Sequence, residues 1–172
     1  MCCEYKNNIL KVVISIFVFV IIAILIIFLN NNYKKTNILV AISEKGDNPT
    51  LGTTTIIFSK NKIIDGTAIS HQLNSDEINI NENGIYQVSY QLYGVQNVTG
   101  TFNFNAVIVV NNVANNDTFN ESPVIRNSTS NRMTLTSTVI LKLQAGDILK
   151  LNGVSIEDIE YEKARIDIEK IG

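Results

Sequence analysis

The chain has 172 residues, with 14 lysines and arginines against 16 aspartates and glutamates, two cysteines and no tryptophan. A net charge of −2 without arginine clusters makes it a poor nucleic-acid binder, because neutralising phosphates takes grouped cations. One histidine, and cysteines only at Cys2 and Cys3, leave no His/Cys cluster for zinc and no disulfide framework.

The first element is an unbroken apolar run over residues 12–29, with Ser15 as its only polar member. At about 1.5 Å of rise per residue it gives roughly 27 Å of helix, close to the hydrocarbon thickness of a bilayer. It predicts a transmembrane signal anchor over 12–29, after a short cytoplasmic tail (1–11) and before a linker (30–35). A cleaved secretory signal is the competing reading. It would have a shorter apolar core and a small-residue cleavage site, whereas Asn30, Asn31 and Asn32 follow this run. Lys6 and Lys11 before the run and Lys34 and Lys35 after it nearly balance the positive-inside bias. The short tail and large C-terminal part favour export of the latter. Cys2 and Cys3 then lie on the cytoplasmic side, as a reduced pair in preference to a lipid acceptor.

Residues 36–172 are long enough for one domain with its own core, and carry ten basic and fifteen acidic residues. Ile38 to Ile42 is apolar on both faces, as a buried strand is. Gly46-Asp47-Asn48-Pro49 reads as a turn, and Thr53 to Phe58, rich in β-branched residues, as a strand. Ile63-Ile64 leads into an Asp65-Gly66 turn, and Ile78-Asn79-Ile80 alternates. Glu82-Asn83-Gly84 breaks the chain before the clearest strand, Ile85 to Tyr93. There Tyr86, Val88, Tyr90 and Leu92 share one face, and Gln87, Ser89 and Gln91 the other. Phe102, Phe104, Ala106, Ile108 and Val110 alternate likewise, opposite Asn103, Asn105, Val107, Val109 and Asn111. The polar stretch from Asn111 to Asn131 predicts one short strand, around Pro123-Val124-Ile125. Met133, Leu135, Val139, Leu141 and Leu143 form another inward face. Ala145-Gly146-Asp147 turns the chain into Ile148 to Leu151. Glu157 to Glu162 reads as an acidic loop, and Ile166 and Ile168 alternate with Arg165, Asp167 and Glu169 in a last strand. Nine or ten short strands without a long amphipathic helix predict an all-β antiparallel sandwich.

Several of these segments resemble the C1q/TNF-like jelly-roll superfamily. They are Gly66-Thr67-Ala68-Ile69-Ser70, Glu82-Asn83-Gly84-Ile85-Tyr86-Gln87-Val88 and Ile108-Val109-Val110-Asn111-Asn112. The run from Leu141 through Gly146-Asp147 to Leu151, and the closing run from Ala164 to Ile171, continue the likeness. Within the superfamily the chain resembles the C-terminal domains of bacterial collagen-like spore-surface (exosporium) glycoproteins, here without a collagen stalk and with an anchor instead. The resemblance spans residues 63–172. It implies a two-sheet jelly roll over 36–172 that forms a homotrimer with its inner sheet toward the threefold axis. By strand parity the candidate trimer interface is then Ile85, Gln87, Ser89, Gln91, Arg165, Asp167 and Glu169. That set is polar for a buried interface, so its members pair across the axis, or the trimer is loose, or the domain is a monomer.

Candidates for chemistry are few. Ser70 beside His71 is not a nucleophile–base pair without a third group to orient the base, and His71 reads as a loop residue. Glu157, Asp158, Glu160 and Glu162 offer oxygen ligands for Ca²⁺ but lack the alternating Asp/Asn-Gly spacing of a dedicated loop, so a solvated loop is preferred. Asn115-Asn116-Asp117 likewise reads as a turn. No catalytic residue, metal ligand or cofactor is assigned. The expected function is a non-enzymatic, membrane-anchored protein of the cell or spore surface. Its exported trimeric domain would serve structural display or bind a protein or carbohydrate ligand, while residues 12–29 hold the lipid bilayer. The alternative is a monomeric β-sandwich adhesin or carbohydrate-binding module on the same anchor.

Overall fold

The computed structural model describes residues 14–27, 36–44, 54–96, 100–102, 104–121, 125–128, 131–155 and 160–172. The chain divides into two units, residues 1–35 and 36–172. In the first, residues 14–27 form an α-helix with exposed apolar side chains such as Phe17 and Phe19. Among the described residues no helix is long and apolar enough to cross a membrane. The remaining residues of the predicted span, 12, 13, 28 and 29, lie outside the described residues.

The described residues of the second unit form strands, turns and one short 3-10 turn. Its strands are β1 (Ile38–Ser43), β2 (Thr54–Thr55), β3 (Lys60–Asp65), β4 (Ile69–His71), β5 (Ile78–Ile80), β6 (Gly84–Gln96) and β7 (Gly100–Phe102). They continue as β8 (Phe104–Val110), β9 (Val113–Ala114), β10 (Asn120–Glu121), β11 (Ile125–Ser128), β12 (Asn131–Leu143), β13 (Ile148–Ser155) and β14 (Glu160–Lys170). A 3-10 turn at Asn116–Thr118 separates β9 from β10. One sheet has the order β12-β6-β14-β1-β3. The other runs β10-β8-β13-β5-β4, with β2 on β13 and β9 on β8, and β7 and β11 form a two-stranded ribbon.

The core lies between the two larger sheets. Tyr86, Val88, Tyr90 and Leu92 of β6 are buried, as their spacing predicts, together with Leu39 and Ala41 of β1 and Ile166 and Ile168 of β14. They meet Phe104, Ala106 and Ile108 of β8, Leu149 and Leu151 of β13, and Ile78 and Ile80 of β5. Burying each large aliphatic side chain stabilises the fold by about 1.5–3 kcal/mol. Tyr90 carries a polar atom into this core, and its hydroxyl donates to the carbonyls of Ala106 and Thr118 at 3.0 and 2.8 Å. The β8–β9 hairpin turns on Asn111 and Asn112, both at positive φ (51° and 66°), as a two-residue hairpin loop requires. Asn111 then ties this turn to the next one. Its Nδ2 donates to Asp147 Oδ1 at 2.8 Å, and its Oδ1 accepts from the Ile148 amide at 2.9 Å.

Several expectations are corrected. The described part of the Thr53–Phe58 segment, residues 54–58, is not one strand: Thr54 and Thr55 pair with β13, and Phe58 makes a lone bridge to Ser75, while Thr53 lies outside the described residues. Among the described residues, the region after Asn111 holds four short strand or turn elements where one strand was expected. Glu160 and Glu162 belong to β14 and not to an acidic loop. His71 is a strand residue of β4, paired with Ile78, and not a loop residue. The Gly46–Pro49 turn, Pro123, Val124, Glu157 and Asp158 lie outside the described residues.

Candidate functional site

Strand parity puts one set of side chains into the core and the other onto the outward face of the five-stranded sheet. All seven candidates fall on that second face, and the registers arrange them in rows. Gln87 of β6 is flanked by Ile140 of β12 and Glu169 of β14. Ser89 lies between Thr138 and Asp167, and Gln91 between Thr136 and Arg165. Beyond β14 the rows continue into β1, where Ile38 faces Glu169, Val40 faces Asp167 and Ile42 faces Arg165. The result is a patch with a polar centre and apolar margins. Ile140 is 63% exposed and Ile85 43%, while Val40 is covered by its neighbours at 4%.

The polar centre is partly satisfied within the chain. Ser89 Oγ and Thr138 Oγ1 share a hydrogen bond at 3.0 Å. Arg165 Nε donates to both oxygens of Asp167, at 3.0 and 2.8 Å. That bond raises the basicity of the guanidinium above its ordinary value and keeps it charged. Gln87, Gln91 and Glu169 have no side-chain partner among the described residues. Sequence reasoning missed the contribution of β12. The signal was its run of alternate polar residues, Thr134, Thr136 and Thr138, opposite Leu135.

At one end of this face the sheet is irregular. The β14–β6 register shifts between Tyr161, which pairs with Gly94, and Lys163, which pairs with Tyr93. The extra residue of this β-bulge puts Glu162 and Lys163 side by side between the buried Tyr161 and Ala164. A depression of about 510 Å³ opens here, lined by Ile42, Gln91, Tyr93, Thr134, Lys163 and Arg165 among others.

The other candidates do not assemble into a site. Both ring nitrogens of His71 are engaged, Nδ1 with Asn61 Oδ1 at 2.6 Å and Nε2 with the Ser75 carbonyl at 3.0 Å. The Ser70 hydroxyl goes to Asn81 instead, at 3.4 Å, so Ser70 and His71 form no nucleophile–base pair. Asn115 accepts from the Asp117 amide at 3.0 Å and caps the 3-10 turn, which is the turn role expected of it. Among the described residues no group of three or more His, Cys, Asp or Glu side chains could hold a metal ion.

Two antiparallel sheets with these strand orders define a TNF-like jelly roll. Solved structures of the same shape include murine APRIL, a TNF-superfamily protein. At pH 5.0 its structure aligns with a TM-score of 0.55 and 14% identity, over 80% of this chain and 100% of that one. At pH 8.0 the values are 0.51 and 16%, over 80% and 100%, and at pH 8.5 they are 0.50 and 13%, over 78% and 100%. At such identities the likeness is one of fold. The chain matches no protein-family model and no curated protein sequence.

Proposed function

We propose that this chain is a non-enzymatic, membrane-anchored surface protein whose exported jelly roll assembles as a homotrimer, for structural display or for binding a partner. The observation that carries the assembly is the continuous outward face of the five-stranded sheet. It gathers Ile85, Gln87, Ser89, Gln91, Arg165, Asp167 and Glu169 with the exposed Ile140. In a TNF-like fold this is the sheet the resemblance turns toward the threefold axis. The Ser89–Thr138 and Arg165–Asp167 contacts bear on the cost of burying it, because groups that arrive already hydrogen-bonded lose less on leaving water. Gln87 and Glu169 find their partners on the neighbouring subunits.

Anchoring rests on the apolar run of residues 12–29. A helix that is apolar all round needs a nonpolar surrounding, and a bilayer supplies one. The superfamily resemblance extends to spore-surface glycoproteins, so a spore or cell surface is the proposed location. The non-enzymatic reading is supported by the engagement of His71 with Asn61 and Ser75.

Light scattering coupled to size exclusion tests the assembly, on the full chain in mild detergent and on residues 36–172. A mass of three chains at micromolar concentration is expected. A single-chain mass overturns the trimer and promotes the monomeric adhesin or carbohydrate-binding module.

A further inference from the structure

The cavity at the bulged end of the five-stranded sheet has a chemistry of its own. Its volume of about 510 Å³ is that of a small-molecule site. What it could bind follows from which lining groups are already committed. Glu44 is held by Lys60, its Oε2 2.6 Å from the ammonium. Glu162 is also engaged within the fold. The Lys163 ammonium, the Gln91 amide and the hydroxyls of Tyr93 and Thr134 have no side-chain partner among the described residues. Arg165 spends only its Nε on Asp167, which leaves both terminal amino groups. The acids of the cavity are thus occupied and its donors are not.

We propose that this cavity binds the carboxylate of a small hydroxylated acid of the hexuronate type. Lys163 and the terminal nitrogens of Arg165 take the carboxylate, since charge-assisted donors of this kind are the strong ones. Gln91 and Thr134 meet the hydroxyls, and the Tyr93 ring supplies an apolar surface for the sugar face. Residues 36–172 carry five more acidic than basic residues, so the surrounding field penalises a single carboxylate less than a polyanion, and the local cations Lys163 and Arg165 must hold the carboxylate against that field. The inference does not rest on the trimer, although Gln91 and Arg165 belong to both surfaces.

The test uses the full chain in mild detergent, titrated with glucuronate, with glucose as the neutral control, and with a disaccharide ending in glucuronate. Light scattering on the same samples reads the oligomeric state separately, so failure to assemble and failure to bind are told apart. Glucuronate should bind at least about tenfold more tightly than glucose, and Lys163→Gln and Gln91→Ala should each weaken it by about tenfold, with circular dichroism unchanged. Tighter binding of the disaccharide identifies a glycan end as the source, and equal binding a free acid. Equal affinity for glucose and glucuronate, no binding of glucuronate at millimolar concentration, or indifference to Lys163→Gln overturns the proposal.

Discussion

The Phe104 ring occupies the space that a side chain on Gly94 would need: its Cζ lies 2.9 Å from where a Gly94 Cβ would stand. The relation is returned from the other sheet, where Tyr161 fills the place of a Gly153 side chain, its Cζ 2.5 Å and its hydroxyl oxygen 2.6 Å from that Cβ position. Each sheet thus lends the other a notch for a ring. The two rings meet edge to face, with centroids 6.3 Å apart. Rigid rings cannot swing aside as a lysine end could. Gly94→Ala and Gly153→Ala should each destabilise the domain by about 1–3 kcal/mol through overpacking, measured as a lower urea midpoint.

Tyr161 and Tyr90 are both buried, yet their hydroxyls stand in opposite situations. The Tyr90 hydroxyl serves two carbonyls, whereas the Tyr161 hydroxyl has no hydrogen-bond partner among the described residues. Tyr90→Phe should therefore cost about 1–2 kcal/mol, and Tyr161→Phe should be neutral or stabilising by up to about 1 kcal/mol. Urea unfolding of the two variants checks the contrast. A destabilised Tyr161→Phe would mean that a buried water serves that hydroxyl.

Alkaline pH should unfold the domain through the same pair. Burial pushes the Tyr90 phenol up to about 12 and raises Tyr161 further. The raised group is an acid, so the unfolded chain releases its proton first. Stability is complete below pH 10 and falls as pH rises from 10, where unfolded tyrosines ionise, through about 12. The slope approaches about 1.4 kcal/mol per pH unit for each such tyrosine. Urea midpoints measured from pH 8 to 12 should fall only above 10, and Tyr90→Phe should flatten the decline.

Period-2 alternation made the core legible in the sequence, because β6, β12 and β14 each bury one face and wet the other. The same alternation placed all seven candidate interface residues on one outward face. What it could not place depends on pairing partners. Glu160 and Glu162 read as loop residues because nothing local marks them as strand, and their strand state comes from pairing β14 with β6. The bulge at Glu162–Lys163, and the cavity it opens, exist only in that register. Nor could the apolar pattern anticipate that Gly94 and Gly153 face the rings of Phe104 and Tyr161, since those contacts join opposite sheets. His71 looked like a loop residue because its flanking residues are polar; its burial comes from Asn61, Ser75 and the edge of the Phe58 ring.

The anchor has its own test. Protease treatment of intact cells should remove the C-terminal domain and leave a small membrane-bound stub containing residues 12–29. A soluble mature form beginning near Asn31 would overturn retention of the anchor in favour of a cleaved signal.

The Arg165–Asp167 pair separates a dry contact face from a wet one. In one chain both side chains are partly exposed, 52% and 35%, and such a pair is worth about 0–1 kcal/mol. Within a trimer the same pair is desolvated. Asp167→Ala then leaves a guanidinium that stays charged and has lost the carboxylate holding it, at a cost of about 3–5 kcal/mol if desolvation is complete. Asp167→Ile should act in the opposite direction and tighten the trimer. Asp167 faces Val40 across β14 and β1, and a branched apolar side chain extends that apolar margin. Sedimentation of the wild type and both variants over a dilution series reads the outcome. Dissociation of Asp167→Ala at concentrations where the wild type stays trimeric, with Asp167→Ile more resistant to dilution, is the expected result. If the face is wet, both changes alter stability by no more than about 0.5 kcal/mol, and a wild-type monomer indifferent to either substitution ends the trimer.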